Sequence, residues 1–342
     1  MPNYEYLDEF AGLPVVVAPD TDQRENFWWL VEERARVDKP DPTLDDYEEA
    51  YQTARADPGA FAWRLQLPAY GGEAIFRDLF LRFVDEVDTT KVTALIAGYW
   101  DFGESSAHEP VGVLVEHADR FPALRALFLG EMVQQECEIS WIQQCDVAPL
   151  LAAFPRLEEL WVRGGNGLEF PATRHEALRR LVVQTGGLPG EVTTGILTSD
   201  LPALEHLELW FGVEGYGCTT EFDDLAPLFE GEVFPNLRSL GLCNAEWGDD
   251  LVRALADAPV MERVRALDLS SNALGPDGGE VLASAPVFRG LDSLTMDYHF
   301  VPEPVLERIR QALSGVALDL SEPEEYFVDE NGEPAYYPGL TE

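Results

Sequence analysis

Residues 263–284, RVRALDLSSNALGPDGGEVLAS, space Leu267, Leu269, Asn272 and Leu274 as LxLxxNxL, then turn through Gly275-Pro276-Asp277-Gly278 into a short helical pattern. Alternation over Leu267 and Leu269 is that of a short strand with alternate side chains on one face. The segment is not isolated. The hexad P-x-L-[RE]-x-L recurs as PALRAL (122–127), PRLEEL (155–160), PALEHL (202–207) and PNLRSL (235–240), each followed two positions on by Leu129, Val162, Leu209 or Leu242. Looser copies carry Leu65/Leu67, Leu95/Ala97, Leu181/Val183, Leu294/Met296 and Leu318/Leu320, for about ten units spaced roughly 21 to 33 residues apart.

Between these strand patterns the spacing turns helical. Ile75, Phe76, Leu79, Phe80, Phe83 and Val87 make one apolar stripe, and Val305, Leu306, Ile309 and Leu313 another. Shorter pieces are VAPLLAAF (147–154) and DDLVRALADA (249–258), and Pro122, Pro155, Pro202 and Pro235 each stop the pattern before the next strand. One strand and one helix cannot cover their own apolar surface; stacked neighbours can, which predicts a solenoid.

From about residue 62 to 320 the chain resembles the leucine-rich repeat family, and its 263–284 copy is similar to the ribonuclease-inhibitor-like subclass in a bacterial-type, degenerate form. The resemblance implies an α/β leucine-rich repeat solenoid: a horseshoe of about ten repeats with parallel strands on the concave face and helices on the convex face. It is specific for fold and weak for function, because members of the family bind very different partners. The chain also departs from the pattern. Only Asn272 holds the repeat's asparagine position, where other units have Gly165, Gly186, Gly212, Ala245 or His299. A mostly absent asparagine ladder predicts irregular turns and uneven curvature.

Terminal repeats need caps. Residues 1–60 read as an N-terminal cap with a strand at 13–18 (LPVVVA) and acidic helices around 22–37 and 43–57, the second opening on a Thr43-to-Asp46 capping box. Trp28-Trp29 reads as the buried face of the first helix. Residues 61–321 form the solenoid. Residues 322–342 read as a hairpin cap turning at Asn331-Gly332, with a flexible acidic tail as the alternative.

The 63 acidic and 23 basic residues leave a formal charge of −40, and the only lysines are Lys39 and Lys91. Such a surface repels phosphate, which argues against nucleic acid and membrane as partners. It is compatible with solubility or a salt-rich setting, with a cationic protein partner, or with diffuse divalent-cation binding. The start, MPNYEYLDEF, lacks the basic-then-apolar order of a signal peptide, and no apolar run reaches membrane-spanning length, so the chain reads as cytoplasmic. Cys137, Cys145, Cys218 and Cys243 show no CxxC spacing and read as reduced thiols.

Catalytic and cofactor patterns are not found. The five histidines, His108, His117, His175, His206 and His299, form no HExxH pair, and no GxSxG elbow occurs. RGGNGLEF (163–170) and TGGLPG (185–190) follow strands but lack a Gly-Lys-Ser/Thr, so they read as turns rather than phosphate loops. The expectation is a non-catalytic scaffold without cofactor or metal, monomeric by itself, that binds a protein or peptide, a basic one being among the candidates. An alternative is an inhibitor or immunity-type protein that neutralises a basic partner such as a nuclease.

The candidate binding face follows from the alternation. Ile96, Phe128, Trp161 and Val182 lie between inward apolar positions and line up as an apolar ridge, with Trp210 beside it, Arg163 and Arg180 bordering it, and Glu159, His206 and Glu208 flanking it. Aromatics with arginine match the composition of binding hot spots. Toward the C-terminus the same rows turn small and acidic, through Asp268, Ser270, Asp297 and Asp319. A slip of one residue would exchange the two faces and make the ridge core, and the segment 130–146 offers a cover for it.

Overall fold

The computed structural model describes residues 5–18, 44–69, 75–100, 106–328, 332 and 334–340. They form two compact units, Asn3–Glu138 with Pro149–Val162, and Ile139–Ala148 with the residues from Arg163 onward. The expected helix at 22–37, Trp28-Trp29, Thr43 and Asn331 lie outside the described residues.

In the first unit, β1 (Glu9–Phe10) and β2 (Leu13–Val17) form an antiparallel hairpin. Its turn residues Ala11 and Gly12 both have positive φ, 52° and 74°, as a tight hairpin matching strand twist requires. β2 then pairs parallel with β3 (Ala62–Leu65), followed in chain order by β4 (Ala94–Ala97), β5 (Ala126–Leu129) and β6 (Glu159–Arg163). Helices α1 (Leu44–Ala56), α2 (Phe76–Glu86), α3 (His108–Glu116) and α4 (Ala148–Ala153) alternate with these strands. Helix α2 buries Phe76, Leu79, Phe80 and Phe83 of the expected stripe and Val84 besides; Val87 is buried just past its end, whereas Ile75, the residue before the helix, stands exposed. Trp63 meets Tyr51 of α1 and Phe83 of α2 at ring-centroid distances of 6.0 and 5.2 Å, so its side of the sheet faces the helices. The opposite side is the open face.

One register differs from expectation. Trp63 aligns with Leu95 and Leu65 with Ala97, so Arg64 rather than Gln66 stands beside Ile96. Leu65/Leu67 is therefore not the inward pair of this unit; Trp63/Leu65 is. Complete burial of the tryptophan is possible because its indole N–H donates to the Pro58 carbonyl at 2.9 Å.

The second unit carries β7 (Arg180–Gln184), β8 (His206–Gly212), β9 (Ser239–Ala245), β10 (Ala266–Asp268), β11 (Ser293–Thr295) and β12 (Ala317–Asp319), each parallel to the next. Between them run α5 (Gly190–Leu197), α6 (Ala226–Phe229), α7 (Gly248–Asp257), α8 (Pro276–Ser284) and α9 (Glu303–Ala312). Strands alternating with helices in chain order, parallel except for β1, are compatible with a repeat solenoid. β13 (Phe327–Val328) and β14 (Pro334–Ala335) pair antiparallel, and Gly332 between them has a φ of 86°.

A regular seam follows the strands of this unit. Two residues beyond Leu242, Leu269, Met296 and Leu320 stand Asn244, Ser271, Tyr298 and Glu322, all left-handed with φ between 51° and 61°. Such a conformation costs about 1–3 kcal/mol at a non-glycine residue and persists only where the surroundings hold it. Here the next turn does: Asn244, Ser271 and Tyr298 donate their N–H groups to the carbonyls of Ser270, Asp297 and Ser321 at 3.0, 2.8 and 3.2 Å. Asn272 adds the side-chain part of the seam. Its amide donates to the carbonyls of Leu242 and Leu269, both at 2.8 Å, and accepts the Ala245 N–H at 2.6 Å. In the next unit His299, fully buried, has Nε2 3.4 Å from the Leu320 carbonyl and accepts the Val301 N–H on Nδ1 at 3.1 Å. Burial lowers its pKa and favours the neutral ring that can both donate and accept. Histidine thus replaces asparagine where the ladder looked broken.

The glycines of 163–170 and 185–190 have a packing explanation. A Cβ on Gly165 would lie 2.4 Å from the Gly187 carbonyl oxygen, so backbone approach excludes any side chain. The four cysteines are free. Among the described residues no helix is long and apolar enough to cross a membrane.

Asn272→Ala removes three buried hydrogen bonds and orphans the Ala245 N–H, and is expected to cost on the order of 3 kcal/mol. Denaturant unfolding should show the midpoint falling with an unchanged m-value; a loss within 0.5 kcal/mol, the ordinary range of about ±0.5 kcal/mol for surface changes, would dismiss the seam as a stabilising element.

Candidate functional site on the open face

The first unit closes much of its own open face. Phe10, Ala62, Ala94, Ile96, Ala126 and Phe128 form a buried apolar cluster, with Leu7, Leu13, Val15 and Trp161 packed against it. Phe10 lies 6.0 Å from Phe128 and stands edge-on to Trp161 at 5.9 Å, while Phe128 and Trp161 are 5.4 Å apart. The expected ridge therefore exists in register, Ile96 beside Phe128 and Phe128 beside Trp161, but Ile96 and Phe128 are fully buried. The physical reason is the N-terminal hairpin, which lays Phe10 across them. Trp161 keeps partial exposure, and its indole N–H donates to Glu159 Oε1 at 2.7 Å.

A buried ion pair fastens this cover. Arg64, 2% exposed, donates from Nε to Glu131 Oε2 at 2.6 Å and from Nη2 to Glu131 Oε1 at 2.7 Å. The same Nη2 donates to the Leu7 carbonyl at 2.9 Å, and the Leu7 N–H donates to Glu131 at 2.8 Å. The guanidinium lies 4.6 Å from the centre of the Tyr6 ring, whose hydroxyl donates to Glu136. Burial works against the Arg64 charge; the Glu131 carboxylate outweighs it and holds the pKa above its ordinary value. Glu131 and Glu136 come from the segment 130–146, so its first part joins the cover. Sequence reasoning missed Arg64, Glu131 and Tyr6. The available signal was a charged residue between two inward positions, Trp63 and Leu65.

In the second unit Val182 is fully buried and Arg163 is 2% exposed. Arg163 reaches Gln184 Oε1 from Nε and Nη2, both at 3.0 Å, and its carbonyl accepts from Gln144 at 2.7 Å. It is packed inside rather than displayed. Arg180, His206 and Glu208 are half-buried and stay reachable, with Arg180 beside His206 across β7 and β8. Trp210 is 4% exposed because Leu340, from the C-terminal segment, packs on it and on Cys243.

His206 links two neighbours. Its Nδ1 lies 2.7 Å from Ser239 Oγ and its Nε2 3.4 Å from Glu208 Oε2, while Glu208 Oε1 accepts the Trp210 indole N–H at 2.7 Å. The order serine, histidine, carboxylate resembles a nucleophile–base relay. However, the Ser239 N–H, the natural oxyanion donor beside such a nucleophile, is donated to the Glu205 carbonyl at 3.0 Å. Burial raises the Glu208 pKa, and His206, the Trp210 indole N–H and Gln184 outweigh it, leaving an ionised carboxylate below its ordinary value.

Glu208 opens a row of acids. Gly241 is its neighbour, where a Cβ would lie 2.8 Å from Glu208 Cγ, and Asp268, Thr295 and Asp319 follow in register. Asp268 accepts from the Ser270 N–H at 2.9 Å and hydroxyl at 2.5 Å. Burial nevertheless pushes its pKa up to about 6, and the carboxylates of Glu208 and Asp297 add to the rise. Among the described residues no group of three or more His, Cys, Asp or Glu is arranged to hold a metal ion.

No protein-family model and no curated protein sequence matches the chain. Among solved structures, a Bacteroides fragilis protein determined by a structural genomics consortium is 26% identical, with a TM-score of 0.74 over 89% of this chain and 84% of that one. The likeness therefore spans the strand–helix array rather than one segment.

The acid row sets a pH dependence. Asp268 binds its proton more tightly folded, at a pKa of about 6, than at its ordinary 3.8, so its contribution to stability is complete below 3.8 and is lost as pH rises through 6. Asp268→Asn should be more stable than the wild type at pH 7–8 by on the order of 3 kcal/mol, at about 1.4 kcal/mol per pKa unit, and equal to it near pH 4. Paired urea titrations across that range read the difference; a pH-independent offset would refute the burial assignment.

Proposed function

We propose that the protein is a non-catalytic binding module of the leucine-rich repeat type, resembling the ribonuclease-inhibitor-like subclass, and that it holds a protein or peptide on the open face of its strands. The single observation that carries the reading is the row Glu208, Asp268 and Asp319, with Asp297 two residues beyond its Thr295 member, all partly or fully exposed, where burial and like charge push the Asp268 pKa up to about 6. A cationic side chain set against that row would relieve the repulsion and lower the Asp268 pKa, so binding and charge are linked. Arg180 and His206 border the surface and supply polar contacts, arginine being of the kind that anchors interfaces.

A second reading, an inhibitor or immunity-type protein that neutralises a basic partner, is favoured by the same row together with the formal charge of −40. Both readings use one surface, and salt separates a charge-driven partner from an apolar one. For a basic partner the Kd should weaken at least about tenfold between roughly 50 and 500 mM salt, and Asp268→Asn/Asp319→Asn should flatten that dependence. Calorimetric titration against the captured partner checks this. Unchanged affinity in the folded double variant would remove the acid row from the interface.

A further inference from the structure

The open face of the second unit already holds a peptide: the chain's own residues 336–340, Tyr-Tyr-Pro-Gly-Leu. Leu340 is 3% exposed, seated on Trp210 and Cys243. Its backbone is read from both sides by one side chain: the Asn244 amide donates to the Leu340 carbonyl at 2.5 Å and accepts the Leu340 N–H at 2.9 Å. Gly339 donates its N–H to the Ser271 carbonyl at 2.8 Å, and a Cβ there would lie 3.1 Å from both Ser271 and Tyr298, so a small residue is favoured. Tyr336 packs on Phe300 at 5.2 Å and lies over Gly275, where a Cβ would meet its ring at 2.9 Å. Asn244, Ser271 and Tyr298 are three of the left-handed seam residues, so the repeat itself presents the contacts.

We propose that this is a peptide-binding site with a leucine subsite formed by Trp210, Cys243 and Asn244, and that the C-terminal segment is a tethered occupant which a partner peptide of aromatic-x-x-Gly-Leu pattern replaces. The chain leading to the tail supports exchange. Residues 321–328 are all exposed, including Tyr326, Phe327 and Val328 at 56, 62 and 64%. β13 pairs with β14, and the tail beyond is held by the Asn244 side chain, the Gly339 backbone bond and the apolar contacts of Leu340, Tyr336 and Tyr337 rather than by a strand ladder. Release therefore opens no sheet. Pro338 has no N–H to lose and its ring fixes φ, which lowers the entropy cost of seating a similar peptide. The proposal rests on the open face being a peptide-binding surface. A failed exchange alongside intact partner capture at the acid row would leave that broader reading standing.

The test uses the full chain and a fluorescent synthetic peptide of residues 334–342, PAYYPGLTE, followed by anisotropy, with Cys243 alkylation read by mass spectrometry. A tethered tail competes at an effective concentration on the order of millimolar, so Leu340→Ala should bind the peptide at least about tenfold more tightly than the wild type. In that background Asn244→Ala should weaken binding at least about tenfold, as loss of a doubly bonded anchor does. Cys243 should alkylate faster in Leu340→Ala and be protected again by the peptide. A peptide with alanine in place of its leucine should not bind. A second form, with a protease site built into 329–333 and cut after folding, keeps every contact residue. Displacement of its severed tail by the labelled peptide supports the proposal. A folded Leu340→Ala chain that takes up no peptide at millimolar concentration, or a severed tail that neither leaves nor exchanges, overturns it.

Discussion

The phase of the parallel strands governs everything else in this molecule. Each strand carries one set of side chains toward the helices and the alternate set onto the open face, so Leu240, Leu267 and Leu294 must stay level with one another. A one-residue slip would carry Asp268 into the core and Leu267 into water. The left-handed residues after each strand guard against it, because Asn244, Ser271 and Tyr298 each hand an N–H to a specific carbonyl of the following turn. Asn272 and His299 fasten the same joint from their side chains. The conformational cost at these three non-glycine positions is offset by bonds that exist only when the register is correct.

With the phase held, the two units treat their open faces differently. The first spends its aromatic ridge on internal packing, with Phe10 laid over Ile96 and Phe128 and the cover fastened by Arg64 and Glu131. A buried pair of this kind adds little net stability but makes the loss of either partner expensive, so it specifies where the N-terminal segment lies. The second unit leaves acids facing outward. Glu208 is compensated by His206 and the Trp210 indole N–H, whereas at Asp268 the hydrogen bonds from Ser270 are outweighed by burial and two carboxylate neighbours. The imbalance is local, and it matches the sign of the chain's total charge.

Most of the strand and helix pattern was legible because it rests on local chemistry: period-two alternation, helical stripes and prolines that end them. The exception is instructive. Trp63 was passed over because its unit lacks the proline hexad, and the register shifted by two residues as a result. The face assignment of the candidate residues was also legible, since Ile96, Phe128 and Trp161 do align. Their accessibility was not. Burial of Phe128 depends on Phe10, and burial of Trp210 depends on Leu340, contacts across more than a hundred residues that leave no trace in local spacing.

The sequence by itself determined the strand–helix alternation, the phase of most strands, and a strongly acidic net charge, because periodicity and net charge are sums over local composition. Only the tertiary structure decided which open-face residues a partner can reach. That depends on where two terminal segments come to rest, and a chain's ends are placed by long-range contacts such as Leu7 with Arg64 and Leu340 with Asn244.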